Sequence, residues 1–158
     1  MKELELTTRI IECEFSELNE ADRELVEKAV EMTDRAYAPY SKFNVGAAIR
    51  LDNGKIITGS NQENAAFPSG TCAERSACFY AGANFPDNKF MAIAVAARDA
   101  SSRELISTPI SPCGGCRQAL LEYEKLAGKP VRVLLTSRDK VSILPSVKSL
   151  LPLAFTEF

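Results

Sequence analysis

The 158-residue sequence contains no histidine and no tryptophan. Without imidazole, the chain lacks the one side chain that ordinarily titrates near neutrality. That absence excludes Ser-His and Cys-His nucleophile pairs and every metal site that depends on histidine. A surplus of either charge is missing too: 19 Lys and Arg face 21 Asp and Glu, for a formal net charge of -2. With a pI near 5.3, nothing electrostatic favours a polyanionic partner, and a small neutral substrate is easier to accommodate than RNA or DNA. No apolar run approaches the ~18 residues that span a bilayer. The opening MKELELTTRIIECEF lacks the apolar core and small-residue cleavage site of a signal peptide, so a cytoplasmic protein is expected.

What is present fits one compact domain able to bury a core without disulfides. Hydrophobic residues make up 46% of the chain and charged residues 25%, a globular composition. The five cysteines are Cys13, Cys72, Cys78, Cys113 and Cys116. An odd number in a reducing compartment argues against a disulfide framework and for metal or catalytic use.

Residues 1–18 read as an N-terminal extension, an arm or an edge strand, ahead of a single domain over 19–158. From Asn19, whose side chain suits a cap, Leu25, Ala29, Met32 and Ala36 recur at helical spacing, and the helix should end before Pro39. NVGAAIRLDNGKIITGSN reads as a hairpin turning at Asp52-Asn53-Gly54. A second helix begins near Cys72, and KFMAIAVAAR reads as a strand covered on both faces. Ser111-Pro112 opens a third helix to about Leu126, with Ser111 as cap and Pro112 at the first position. VRVLL is a further buried strand, and a short helix follows Pro145. This order implies a mixed sheet with βαβ crossovers and helices on both faces.

SPCGGC places Cys113 and Cys116 in a C-x-x-C at a helix entrance, where unpaired N–H groups favour thiolate. A redox dithiol, half of a zinc site and two small buried residues are all compatible with that motif alone. Cys72 sits at a second helix entrance, and Thr71 to Glu74 form a capping box in which Glu74 would merely return a hydrogen bond to its own backbone. In a βαβ arrangement, however, consecutive helix starts emerge at one edge of the sheet, where α/β folds build their sites. Three thiolates meeting there leave zinc one open position, the mark of a catalytic ion. Cys78 lies about 9 Å along its helix from Cys72, too far to share the ion, and reads as a packing residue. Zinc with three thiolates carries an excess negative charge, which the helix N-termini and Arg75 can offset.

TCAERSA followed by SPCGGCRQ resembles the short-form cytidine deaminases, in the three-cysteine variant of the zinc-deaminase signature. The resemblance extends from about Leu25 to Phe155 and includes YSKFNVGAAI and NQENAAF. It implies a three-layer α/β/α sandwich with a mixed, mostly parallel five-stranded sheet. It implies one Zn²⁺ per subunit on Cys72, Cys113 and Cys116, with Glu74 as proton shuttle, Arg75 hydrogen-bonding a ligand thiolate, and no nucleic acid or membrane partner. Phe43 would line the pyrimidine pocket, Asn61 and Glu63 would bind the sugar hydroxyls, and Ala73 would join them as a substrate contact. Phe67 and Phe155 would approach a neighbouring subunit's site in a homotetramer. Related proteins often carry tyrosine where this chain has Phe67, without the hydroxyl. The implied activity is hydrolysis of free cytidine and deoxycytidine to uridine and deoxyuridine with release of ammonia, a step of pyrimidine salvage. A blasticidin-type nucleoside deaminase and a non-catalytic zinc or redox-thiol module are the alternatives.

Overall fold

The computed structural model describes residues 1–157. The N-terminal segment supplies a short strand, β1 (Ile11–Cys13). Helix α1 (Glu20–Met32) starts where Asn19 was expected to cap it: the Asn19 side chain accepts from the Asp22 N–H at 2.9 Å. The hairpin forms as β2 (Phe43–Leu51) and β3 (Ile56–Ser60), with Gly54 at φ 83° in its turn. Helix α2 (Ala73–Asn84), strand β4 (Phe90–Asp99), helix α3 (Gly114–Ala127) and strand β5 (Arg132–Thr136) follow. Gly128, left-handed at φ 67°, ends α3 at little steric cost. The last strand is β6 (Val141–Leu144), and a single 3₁₀ turn, Val147–Leu150, stands where a helix was expected after Pro145.

The three-layer sandwich expected from the sequence is present, but its sheet has six strands in the order β1-β6-β5-β4-β2-β3. The extra strand is β1, which pairs antiparallel with β6. Among the described strands only β4 and β5 pair in parallel; the β2–β3, β2–β4 and β5–β6 ladders are antiparallel. The cause lies in the connections. Four residues between β2 and β3, and four between β5 and β6, turn the chain back on itself, whereas a parallel neighbour needs a crossover. By direction the sheet still favours one sense, because β1, β3, β4 and β5 all run against β2 and β6.

The apolar run of β4 serves two layers. Ala92, Ala94 and Ala96 face α1 together with Ala48, Leu134 and Val141. Ile93 and Val95 face the opposite way, into the core under α2 and α3 with Ile49, Val133 and Leu120. Alanines on one face let α1 lie close; Gly46 closes the distance further, since a Cβ there would collide with the Ala29 carbonyl. Asp22, 5% exposed, ties α1 to β5 through two hydrogen bonds from Arg132, at 3.0 and 2.6 Å. None of the described helices is long and apolar enough to cross a membrane.

Candidate metal centre and active site

Strands β3 and β4 run in the same direction, so the helices that follow them, α2 and α3, begin at the same edge of the sheet. Gly59 on β3 lets α2 settle there. A Cβ at Gly59 would lie 2.6 Å from both the Ala73 carbonyl oxygen and the Ala77 nitrogen, so only the bare backbone admits the first turn of α2.

Each helix is capped by a cysteine. Cys72 (φ -76°, ψ 155°) and Cys113 (φ -65°, ψ 164°) are the extended residues just before α2 and α3, and neither makes a side-chain cap hydrogen bond. Thr71, Ser111 and Pro112 therefore stand one or two residues outside the cap and first-turn positions expected of them. The helical rotation that would have separated Cys72 from Glu74 is absent, because Cys72 is not yet in the helix. Glu74 does not form the expected capping box either. It is 4% exposed and points inward at the cavity.

The three sulfurs of Cys72, Cys113 and Cys116 lie within 4.8 Å of one another. Cys72 and Cys113 are 3.9 Å apart, Cys113 and Cys116 3.5 Å. Zn–S bonds of about 2.3 Å in a tetrahedron require sulfurs roughly 3.8 Å apart. The donor set therefore fits zinc in both chemistry and spacing, and with three protein ligands it leaves one position open. Cys78 is buried and outside this group, its thiol pushed up to about 12 by burial, as expected of a packing residue.

Arg75 donates from Nη2 to the Cys72 sulfur at 3.5 Å. Its Nε is buried with no hydrogen-bond partner among the described residues. The Cys116 thiol, then Arg75 and Cys113, bring Cys72 down to about 5 against the opposing effect of burial. Cys116 moves the other way, holding the proton it shares with Cys72. Burial, reinforced by the Cys72 charge, raises the Glu74 carboxyl above its ordinary value. A thiolate-stabilising guanidinium and a carboxyl inclined to hold a proton thus sit side by side.

A cavity of about 390 Å³ opens onto the sulfurs and is lined by Phe43, Asn61, Glu63, Cys72, Ala73, Glu74, Arg75 and Cys113. Cys116 lies buried behind the wall. Asn61 is already engaged: its oxygen accepts from the Val45 N–H at 2.8 Å and its nitrogen donates to the Phe43 carbonyl at 2.9 Å. An amide retains one further donor and one further acceptor site. Glu63 accepts from the backbone N–H groups of Tyr40 (2.9 Å) and Ser41 (3.2 Å). The Ser41 hydroxyl and these amides hold its carboxyl below the usual range. Both residues brace the start of β2, where Lys42 takes a left-handed φ of 57°.

Phe67 stands at the rim, 73% exposed, edge-on to Tyr40 at 6.1 Å between ring centroids. Phe155 does not line this cavity; it is 63% exposed and its carbonyl accepts from Gln118. Sequence reasoning missed Val45 and Ile110, which also line the cavity. Their apolar character gave no signal beyond core packing. Ser111, read as a cap, belongs to the wall as well, and its place directly before Pro112-Cys113 was the available clue.

Residues 19–127 match the family model described as the cytidine and deoxycytidylate deaminase zinc-binding region. A cytidine deaminase from Halalkalibacterium halodurans is 36% identical over 132 residues, covering 84% of this chain and 92% of the relative. A Blasticidin-S deaminase from Bacillus cereus is 31% identical over 141 residues, covering 88% and 95%. The crystal structure of cytidine deaminase from Burkholderia pseudomallei superposes with a TM-score of 0.66 at 38% identity, over 84% of this chain and 97% of that one. With three thiols at zinc spacing beneath a cavity that holds a buried carboxyl, and with the family's zinc-binding region covering most of its length, the chain belongs to the cytidine and deoxycytidylate deaminase family.

Proposed function

We propose that this protein hydrolyses free cytidine and deoxycytidine to uridine and deoxyuridine with release of ammonia, using one zinc ion held by Cys72, Cys113 and Cys116. The observation that carries this reading is a trio of thiols at zinc spacing, two of them in the wall of one cavity of about 390 Å³ that also presents a buried carboxyl and polar groups suited to sugar hydroxyls. When bound, a zinc ion with three protein ligands keeps one position open to water and lowers that water's pKa.

The chain's own residues do the rest. Phe43 and the apolar wall stack against the pyrimidine and exclude bulk water, while Asn61 and Glu63 hold the sugar by directional hydrogen bonds. The N–H of Ala73, at the first position of α2 in the cavity wall, serves as a donor to the base, since a helix leaves its first N–H groups without intrahelical partners. Glu74 takes a proton from the attacking water and delivers it to N3 as the C4–O bond forms. It then moves the hydroxyl proton from oxygen to the amino nitrogen, the C4–N bond breaks, and ammonia leaves. With no histidine in the chain, a carboxyl must carry both transfers, and its raised pKa suits a group that alternates between acid and base. Arg75 and the two helix N-termini offset the negative charge of three thiolates.

The assembly is a homotetramer in which Phe67 and Phe155 complete neighbouring cavities. Their 73% and 63% exposure in a single chain supports a role at a contact between subunits. The setting is cytoplasmic pyrimidine salvage. Ultraviolet absorbance assays with cytidine, deoxycytidine and blasticidin S test the substrate directly. Turnover of both nucleosides is expected, with blasticidin S a poor substrate. Preferred turnover of blasticidin S, or no turnover of any, overturns the reading.

A further inference from the structure

Arg117 follows the ligand Cys116, yet its side chain turns away from the sulfurs. Its Nε donates to the Pro112 carbonyl at 2.8 Å, and its Nη1 donates to the Leu150 carbonyl at 2.8 Å. Pro112 is buried and immediately precedes Cys113, the ligand that caps α3. Proline has no N–H and cannot anchor itself through a donor, and Gly114 and Gly115, which follow Cys113, meet nothing that a side chain would touch. The segment around Cys113 is therefore short of packing, and Cys113 is itself exposed. The guanidinium bond to Pro112 is the side-chain tie that fixes where this segment enters the helix.

The other end of that tie is well anchored. Leu150 closes the 3₁₀ turn Val147–Leu150, and Glu124 on α3 grips the start of that turn. It accepts from Ser146 Oγ at 2.7 Å, Val147 N–H at 2.7 Å and Lys148 N–H at 3.1 Å. The N-terminal segment joins as well, since Thr8 Oγ1 donates to the Ser149 carbonyl at 3.1 Å. A planar guanidinium can bridge two carbonyls with fixed geometry, which a lysine ammonium on its flexible stem does not reproduce.

We infer that Arg117 is a positioning residue of the metal centre: by bridging the Pro112 and Leu150 carbonyls it holds Cys113 at ligating distance from Cys72 and Cys116. The inference rests on the proposed zinc site but not on the identity of the substrate. Groups that orient metal ligands from behind commonly contribute 10–100-fold to metal affinity or activity.

The test measures Zn²⁺ affinity by competition with a chromophoric chelator, and the thiolate-to-metal absorption of the Co²⁺-loaded protein. The proteins are the full chain, Arg117→Ala, Arg117→Lys and Lys125→Met. Lys125 lies in the last turn of the same helix, away from the ligand end, and also tethers the C-terminal segment, through the Thr156 carbonyl at 2.8 Å. Arg117→Ala is expected to bind zinc about 10–100-fold more weakly, with altered cobalt bands. Arg117→Lys should fall between Ala and the parent, and Lys125→Met should match the parent. Circular dichroism at the assay temperature ensures that only folded protein is compared, and Arg117→Lys carries the test if Arg117→Ala does not fold. Parental zinc affinity and cobalt spectrum in folded Arg117→Ala or Arg117→Lys would overturn the inference, as would an equal loss in Lys125→Met. Failure of the parent protein to deaminate nucleosides would overturn the substrate assignment and leave the metal result standing.

Discussion

Glu74 illustrates how one residue type can serve two physical roles at the same sequence position. In T-C-A-E it satisfies the pattern of a capping box, and nothing in the sequence alone distinguishes that from a catalytic carboxyl. The structure differs because Cys72, not Thr71, occupies the cap position, which turns Glu74 into the cavity at 4% exposure. Burial raises its pKa, and the sign of the consequence follows. A folded-state value above the unfolded one stabilises the protein at low pH, and that contribution is lost as pH rises through the folded value. As pH rises above the ordinary carboxylate range, Glu74 thus weighs increasingly against folding of the metal-free chain. Glu74→Gln is expected to raise the melting temperature of metal-free protein at pH 8 by a few degrees, a gain that disappears toward pH 4. The same variant should keep zinc and lose about 10²–10⁴-fold in kcat. Calorimetry and zinc analysis beside the activity assay check both halves. Undiminished turnover would remove Glu74 from the mechanism.

At the scale of elements, the site depends on two helices starting at one sheet edge, and a glycine governs one of those starts. Gly59 admits α2 against β3, while Gly46 admits α1 on the opposite face. Gly59→Ala and Gly46→Ala should both destabilise, by about 1–3 kcal/mol each as over-packed sites do. Only Gly59→Ala moves Cys72 and Glu74, so zinc affinity should fall in that variant alone, as read by chelator competition on folded protein. An equal effect from Gly46→Ala would contradict this division. Much at this scale was legible beforehand. Asn19 declared the start of α1, Asp52-Asn53-Gly54 the hairpin, and the alanine-rich run a strand buried on both faces. What escaped was β6: Val141–Leu144 is four residues beside the polar turn Ser137–Lys140, too short for alternation to register. The helix starts shifted by one or two residues because a cysteine used as a ligand takes the cap position that Ser and Thr ordinarily prefer.

For the whole molecule, the extension before α1 becomes part of the sheet. Ile11–Cys13 covers the edge of β6, so on that side the sheet ends on a strand of only three residues, with Lys140 holding Glu12 at 2.9 Å. A partly alternating segment without a visible partner could not declare this, because strand pairing over more than a hundred residues is set by the assembled sheet. The opposite edge, β3, and the aromatic residues Phe67 and Phe155 remain at the surface of one chain. Sedimentation of the purified protein is expected to give a tetramer, and Phe155→Ala to weaken both assembly and substrate affinity. A fully active monomer would exclude shared cavities. The metal, the carboxyl and the nucleoside meet in one quantity. Zinc is titrated into metal-stripped protein while conversion of cytidine to uridine is followed. Activity is expected to rise in proportion to bound zinc and to saturate at one ion per chain, whereas full activity without metal, or zinc bound at that stoichiometry without turnover, would contradict the account.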